Sequence, residues 1–344
     1  PGAPFRDTDT QCGLFATTRA LLRFGVPFTY AENCWIDSPM FREKLDHFIR
    51  VVSVVKTFRH LRILQIGARP RQFLSVKVNE GELMEKFGIQ IIPVNDGHYV
   101  SVINRFLEED SQELKDQVAK MKQRADTSDM AEEDIRKMAA IYLAIRSLAD
   151  ELECQAVASE CWEVYRMNYG IAPCFVFACL SQDGLPVCCE DDINGAVSSI
   201  IAQAAALFRT PSFLADITVR HPLDDNSELL WHCGPFPPAL AKNGCAKVSG
   251  GHGTYELKPG RLTLVRFDGD HGVYKLLGDT ADTTEGPETD GNYVWIKVKS
   301  WPAWEEKLMY GPYIHHIAGI YGDYKAVLKE ACKYLGTVYD YVEE

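Results

Sequence analysis

Apolar and polar positions recur at two different periods along this chain, and the change of period divides it. Between Met40 and Arg59 the apolar residues Leu45, Phe48, Val51, Val52 and Val55 fall at helical spacing, which predicts a helix. A shorter helix is predicted over Leu14–Phe24, behind the opening Phe5–Gly13. Leu61–Gly67 reads as a strand ending at glycine, followed by a loop, Ala68–Phe73, that carries two arginines. A helix over Glu80–Phe87, a second strand over Ile89–Val94 and a loop at Asn95–His98 complete a βαβ pattern, the signature of a parallel sheet. Residues 107–150 are charged and helical, so their polar face is expected in solvent. Gln155–Ser159 predicts a third strand that ends at Glu160–Glu163, and Pro173–Ser181 another helix. From about Thr218 short β-prone runs (Leu229–Trp231, Leu262–Arg266, Tyr293–Val298) alternate with Gly/Asp turns, which predicts a small antiparallel barrel or sandwich. A helix over Lys325–Leu335 closes the chain. The fold class is therefore α/β, Rossmann-like, followed by a β-rich, barrel-like domain. The expected portions are 1–105, 106–217 with the acidic motif, and 218–344.

Composition narrows the function classes. Lys+Arg 36 against Asp+Glu 48 leaves a net charge of −12, and an acidic chain without a basic stripe is a poor nucleic-acid binder. A phosphorylated substrate would need a local Arg/Lys pocket. No apolar run approaches the roughly 20 residues of a membrane helix. The chain opens on Pro rather than Met, which reads as a processed or cut terminus, and the start does not resemble a signal peptide. Eleven cysteines, an odd number, lack paired C-x-x-C motifs and lie mostly in apolar stretches, as at Cys174, Cys179, Cys188 and Cys189. This points to buried thiols in a reducing cytoplasm and places a zinc or redox protein last.

The chemistry concentrates at Pro186–Gly195. An apolar run, Leu185–Cys189, stops in three consecutive carboxylates, Glu190, Asp191 and Asp192, and the almost uncharged segment Ile193–Phe208 follows. This is a strand opening into a helix, with the acids at the carboxyl edge of the sheet, where ligands of open α/β sheets bind. One of the acids serves equally well as a helix N-cap, but three adjacent carboxylates are better explained by a cation. Oxygen ligands suit Mg²⁺, Ca²⁺ or Mn²⁺, and added imidazole favours Mn²⁺ or Zn²⁺. His232 stands at a strand end before a rigid Gly-Pro loop. His315 and His316 are adjacent among apolar neighbours, so only one of them is expected to face a metal. Gly250–Gly253 and Asp268–His271 read as β-turns with exposed histidines.

Taken together, Cys189-Glu-Asp-Asp-Ile-Asn-Gly195, Leu230-Trp-His-Cys-Gly234, His315-His316 and Tyr321-Gly-Asp-Tyr324, with Leu61–Gly67 and Phe87–Val94 upstream, resemble the L-fucose isomerase-like family, related to the L-arabinose isomerases. The resemblance covers essentially the whole chain. It implies an amino-terminal α/β domain ahead of the two seen here, which this chain is expected to lack wholly or in part. It also implies aldose–ketose isomerisation of an open-chain sugar through an enediol, and homo-oligomers whose subunits complete one another's sites. A divalent metal is implied, usually Mn²⁺, with Co²⁺, Mg²⁺ or Zn²⁺ as alternatives. Carried over, Asp192 matches a metal ligand and one of His315/His316 the ligand histidine, while Glu160 is the first candidate for the upstream catalytic glutamate, ahead of Glu163. Glu190 is a further candidate base, and Trp162, Asn194 and His232 are expected to contact substrate. Asp192→Asn is expected to abolish catalysis with little loss of folding. An epimerase or lyase on the same scaffold, or a non-catalytic sugar-binding or assembly subunit, are the alternatives.

Overall fold

The computed structural model describes residues 10–342, so Phe5–Asp9 of the opening segment lie outside it. Two helices come first, α1 (Thr10–Arg23) and α2 (Pro39–Phe58). Ser38 caps α2, accepting a hydrogen bond from the Phe41 N–H, and Pro39 occupies the first turn where its missing N–H costs nothing. The parallel sheet follows: β1 (Arg62–Ile66), α3 (Glu80–Phe87), β2 (Gln90–Val94), three helices α4 (Asp96–Glu109), α5 (Gln112–Arg124) and α6 (Glu132–Glu151), then β3 (Ala156–Ser159), α7 (Val164–Tyr169), α8 (Cys174–Gln182) and β4 (Val187–Cys188). Its strand order is β2-β1-β3-β4, with β1–β2, β1–β3 and β3–β4 all parallel. Asn95–His98 is not a loop. Asn95 accepts the His98 N–H and caps α4, so the polar run begins a helix. Nor is α6 a solvated helix beyond its acidic first turn, because the run Met138–Ile145 is buried on every side.

Helix α9 (Ile193–Ala205) is buried along its whole length. It packs on β1 and β3 through one face and on barrel strands through the other, which is why the sequence here can be almost uncharged. The remaining chain holds β5 (Phe213–His221), β6 (Asp224–His232), β7 (Val248–Ser249), β8 (His252–Gly253), β9 (Tyr255–Glu256), β10 (Arg261–Asp270), β11 (Val273–Thr284), β12 (Asn292–Lys297), α10 (Trp301–Tyr310), β13 (His316–Tyr321), α11 (Lys325–Leu335) and β14 (Val338–Asp340). Strands β5, β6, β12, β11, β10 and β13 close into an antiparallel ring, since β11 and β12 also pair. The barrel-like expectation is met, with its first strand starting at Phe213, ahead of Thr218. Strands β9 and β14 add parallel pairs to β12 and β11. Among the described residues no helix is long and apolar enough to cross a membrane.

Candidate active site

Beyond β4 the chain reverses through a short turn, Cys189–Asp191, in which Glu190 and Asp191 both adopt left-handed backbone angles, φ 55° and 58°. Such angles cost a non-glycine residue on the order of 1 kcal/mol or more, so the surrounding packing must enforce them. The turn sends the three acids in three directions. Glu190 points inward: Oε1 accepts a hydrogen bond from Trp162 Nε1 at 3.1 Å, and Oε2 is buried without a hydrogen-bond partner. Burial pushes its carboxyl up, against the attraction of His232 and His316. Asp191 faces β1, accepting from Gln65 Nε2 at 2.7 Å, and burial raises it to about 7.

Asp192 caps α9 through the Gly195 N–H at 2.9 Å. Its other contacts are Arg266, whose Nη1 donates to Oδ2 at 2.5 Å and Nη2 to Oδ1 at 3.2 Å, and His316 Nδ1, 2.8 Å from Oδ2. Burial by itself would raise this carboxyl, but the Arg266 guanidinium and His316 hold it well below the usual carboxylate range. Arg266 is fully buried and also donates to Asp268 at 2.7 and 2.9 Å, while Asn194 Nδ2 donates to Asp268 at 2.8 Å.

The barrel supplies the facing wall. In β13, His316 pairs in register with Asp216 of β5, and Asp216 pairs with Trp231, next to His232 at the end of β6. With Nδ1 of His316 bonded to Asp192, its Nε2 faces Asp216 Oδ1 at 3.3 Å and Glu190 Oε2 at 3.7 Å. His232 Nε2 lies 3.8 Å from the same Glu190 oxygen. Three of these atoms, Glu190 Oε2, Asp216 Oδ1 and His232 Nε2, are buried and have no hydrogen-bond partner. Buried polar atoms are rarely left so. Ligands ~2.1 Å from one cation stand roughly 3.0–3.6 Å apart, close to the separations found here. The donor set therefore fits a divalent cation, and Asp192–His316 supplies the carboxylate–imidazole support common behind metal-bound histidine. Beside this group a cavity of about 190 Å³ is lined by Trp162, Arg166, Glu190, Trp231, His232 and His252.

The expected site residues thus separate. Glu190, His232 and His316 converge, and Trp162 joins them through its indole. Asp192 stands behind His316 with both oxygens engaged, and Asn194 belongs to the same buried network rather than to the cavity. Glu160 is turned back on its own chain, accepting the N–H groups of Trp162 (2.6 Å), Glu163 (3.0 Å) and Val164 (3.1 Å). His315, the residue just ahead of β13, is exposed at the rim, 3.8 Å from Asp216. Sequence reasoning missed Asp216, although a single acid inside the run Phe213–Ile217 is a signal. It also missed Phe73, whose ring lies 5.6–5.8 Å from those of Trp162, His315 and His316 and roofs the group.

Two family models match parts of the chain. Residues 238–343 match the carboxy-terminal domain of L-fucose isomerase, and residues 5–59 the amino-terminal domain of fucose/sulfoquinovose isomerase. A sulfoquinovose isomerase of Priestia megaterium is 28% identical over 302 residues, covering 83% of this chain and 66% of that protein. One of Alkalicoccus urumqiensis is 26% identical over 306 residues, 86% of this chain and 68% of that protein. The chain thus spans about two thirds of the length of these curated relatives. Both of these domain matches and the sulfoquinovose isomerases point the same way: the chain resembles the L-fucose isomerase-like family.

Proposed function

We propose that the chain carries the catalytic centre of a metal-dependent aldose–ketose isomerase. The observation that carries this reading is the convergence of Glu190 Oε2 and His232 Nε2, both buried and partnerless, with His316 Nε2, against which Asp216 Oδ1 also lies at 3.3 Å. Glu190, His232 and His316 would hold the cation, with Asp216 beside His316 as a further donor, and with Mn²⁺ first and Co²⁺, Mg²⁺ or Zn²⁺ as alternatives. When bound, a divalent ion supplies Lewis-acid stabilisation of the negative charge that develops during isomerisation. Glu190 is the group assigned to move the proton between C1 and C2, since its carboxylate stands between the imidazoles and the cavity. Trp162 holds Glu190 in place through its indole N–H and walls the cavity. Asp192 fixes the tautomer of His316, leaving Nε2 bare toward the site. Phe73 covers the group and limits water.

The substrate proposed is an anionic aldose, with sulfoquinovose, on which the relatives are named, the first to test. Arg166 lines the cavity without a carboxylate partner among the described residues, a local positive group in a chain of net charge −12. Homo-oligomerisation is also proposed, supported by the exposed apolar residues Phe15, Leu22, Phe48 and Val52 on α1 and α2, and sedimentation of the purified chain tests it. Incubation with sulfoquinovose, L-fucose and L-arabinose in D₂O and Mn²⁺ tests the chemistry. Deuterium should enter C2 of one of the aldoses in the native chain and not in Glu190→Gln. No exchange with any aldose, at saturating metal, rejects the isomerase reading.

A further inference from the structure

The glycine-rich turn Gly250–Gly253 is unused by the sugar chemistry, yet it is packed with unusual closeness. A Cβ on Gly251 would stand 2.1 Å from the Ala172 carbonyl oxygen, and one on Gly234 would stand 2.3 Å from the Gly253 nitrogen. Glycine is thus required at both positions, and the result is to press His252, the one side chain of the turn beyond a hydrogen, against two cysteines. His252 Nδ1 lies 3.4 Å from Cys174 Sγ, and Cys174 Sγ lies 3.3 Å from Cys233 Sγ. The two sulfurs and the imidazole come from three separate stretches of the chain, so no C-x-x-C spacing announces them. Both cysteines are free thiols.

We propose that Cys174, Cys233 and His252 form a second cation site, taking a thiophilic d¹⁰ ion of the Zn²⁺ class. Thiolates sharing one tetrahedral ion at ~2.3 Å stand roughly 3.7 Å apart, a small opening from 3.3 Å. A disulfide, at ~2.05 Å, needs a closing movement of more than about 1 Å. Nδ1 of His252 also sits 2.8 Å from the Cys233 carbonyl oxygen, a hydrogen bond that must open, with release of the Nδ1 proton to solvent, for that nitrogen to bind an ion. Donor softness separates this set from the neighbouring carboxylate–imidazole group, which suits harder ions. The site lies on the wall of the same cavity, where an ion would fix the end of β6 that carries His232.

Cobalt(II) titration of the reduced, metal-free chain tests the proposal, because a sulfur-to-cobalt charge-transfer band reports thiolate ligation alone. One equivalent should develop the band in the native chain and equally in Glu190→Gln, and Zn²⁺ should displace it. Cys174→Ser with Cys233→Ser should lose it, and His252→Ala should weaken cobalt binding at least ~10-fold. No band in the native chain overturns the proposal whether or not the variants fold. So does an unchanged band in the double variant, or fewer than the eleven reactive thiols of the sequence in the unfolded, non-reduced protein, which would mark a disulfide instead. Loss of sugar exchange with the band intact would count only against the isomerase reading.

Discussion

Asp192→Asn puts the buried network behind His316 to its most direct test. Both Asp192 oxygens accept from donors: Oδ1 from Gly195 and Arg266, Oδ2 from Arg266 and His316. An amide in this position turns its NH₂ against one of those pairs whichever way it is placed. Arg266 is fully buried, and removing one partner of a buried ion pair costs about 3–5 kcal/mol. Asp268 still holds the guanidinium at 2.7 and 2.9 Å, which sets the loss at the low end, about 3 kcal/mol. The sequence-based expectation of little effect on folding is therefore replaced. Urea unfolding followed by tryptophan fluorescence measures the loss, and calorimetric Mn²⁺ titration measures the second effect. With its Nδ1 acceptor compromised, His316 should bind the ion ~10–100-fold more weakly. The double variant Asp192→Leu with Arg266→Met should recover most of the stability, since an apolar pair replaces an ionic one, but none of the metal affinity. A stability loss below about 1 kcal/mol in Asp192→Asn refutes the energetic argument.

Glu160→Ala should cost about 1–2 kcal/mol, because three backbone N–H groups lose their cap, while proton exchange on sugar persists; abolished exchange in a folded variant returns Glu160 to the catalytic list. Gly195→Ala should resemble Asp192→Asn in both assays, since its Cβ would lie 2.5 Å from Asp192 Oδ2, and full metal affinity in a folded variant contradicts this. Glu228 is pushed up to about 7 by burial, only partly offset by Arg220, and its Oε2 has no hydrogen-bond partner. Its raised carboxyl favours folding at low pH, and that advantage is lost as pH climbs from about 4.3, where the unfolded chain ionises, through about 7. Glu228→Gln should therefore match the native chain at pH 4 and exceed it by about 2 kcal/mol above pH 7, a value discounted for partial solvent screening. Equal denaturation midpoints at pH 4 and pH 8 would exclude that linkage.

Local pattern determined much of this molecule. The period of Leu45–Val55 fixed α2, the strand–glycine boundary fixed β1, and the abrupt passage from apolar run to acids fixed the turn ahead of α9, because each of these depends on neighbours three or four residues away. Asp192 as an N-cap was legible for the same reason. What each acid faces was not. Which of Glu190, Asp191 and Asp192 enters the site depends on two left-handed residues in one turn and on an arginine 74 positions later. Asp216 became a ligand candidate only because strand pairing sets it beside His316, and the cysteines met only through the packing of segments that share no spacing. Secondary structure answers to short-range periodicity, whereas a cation site answers to where distant segments are brought, and that is a property of the closed barrel packed on α9, which joins it to the sheet.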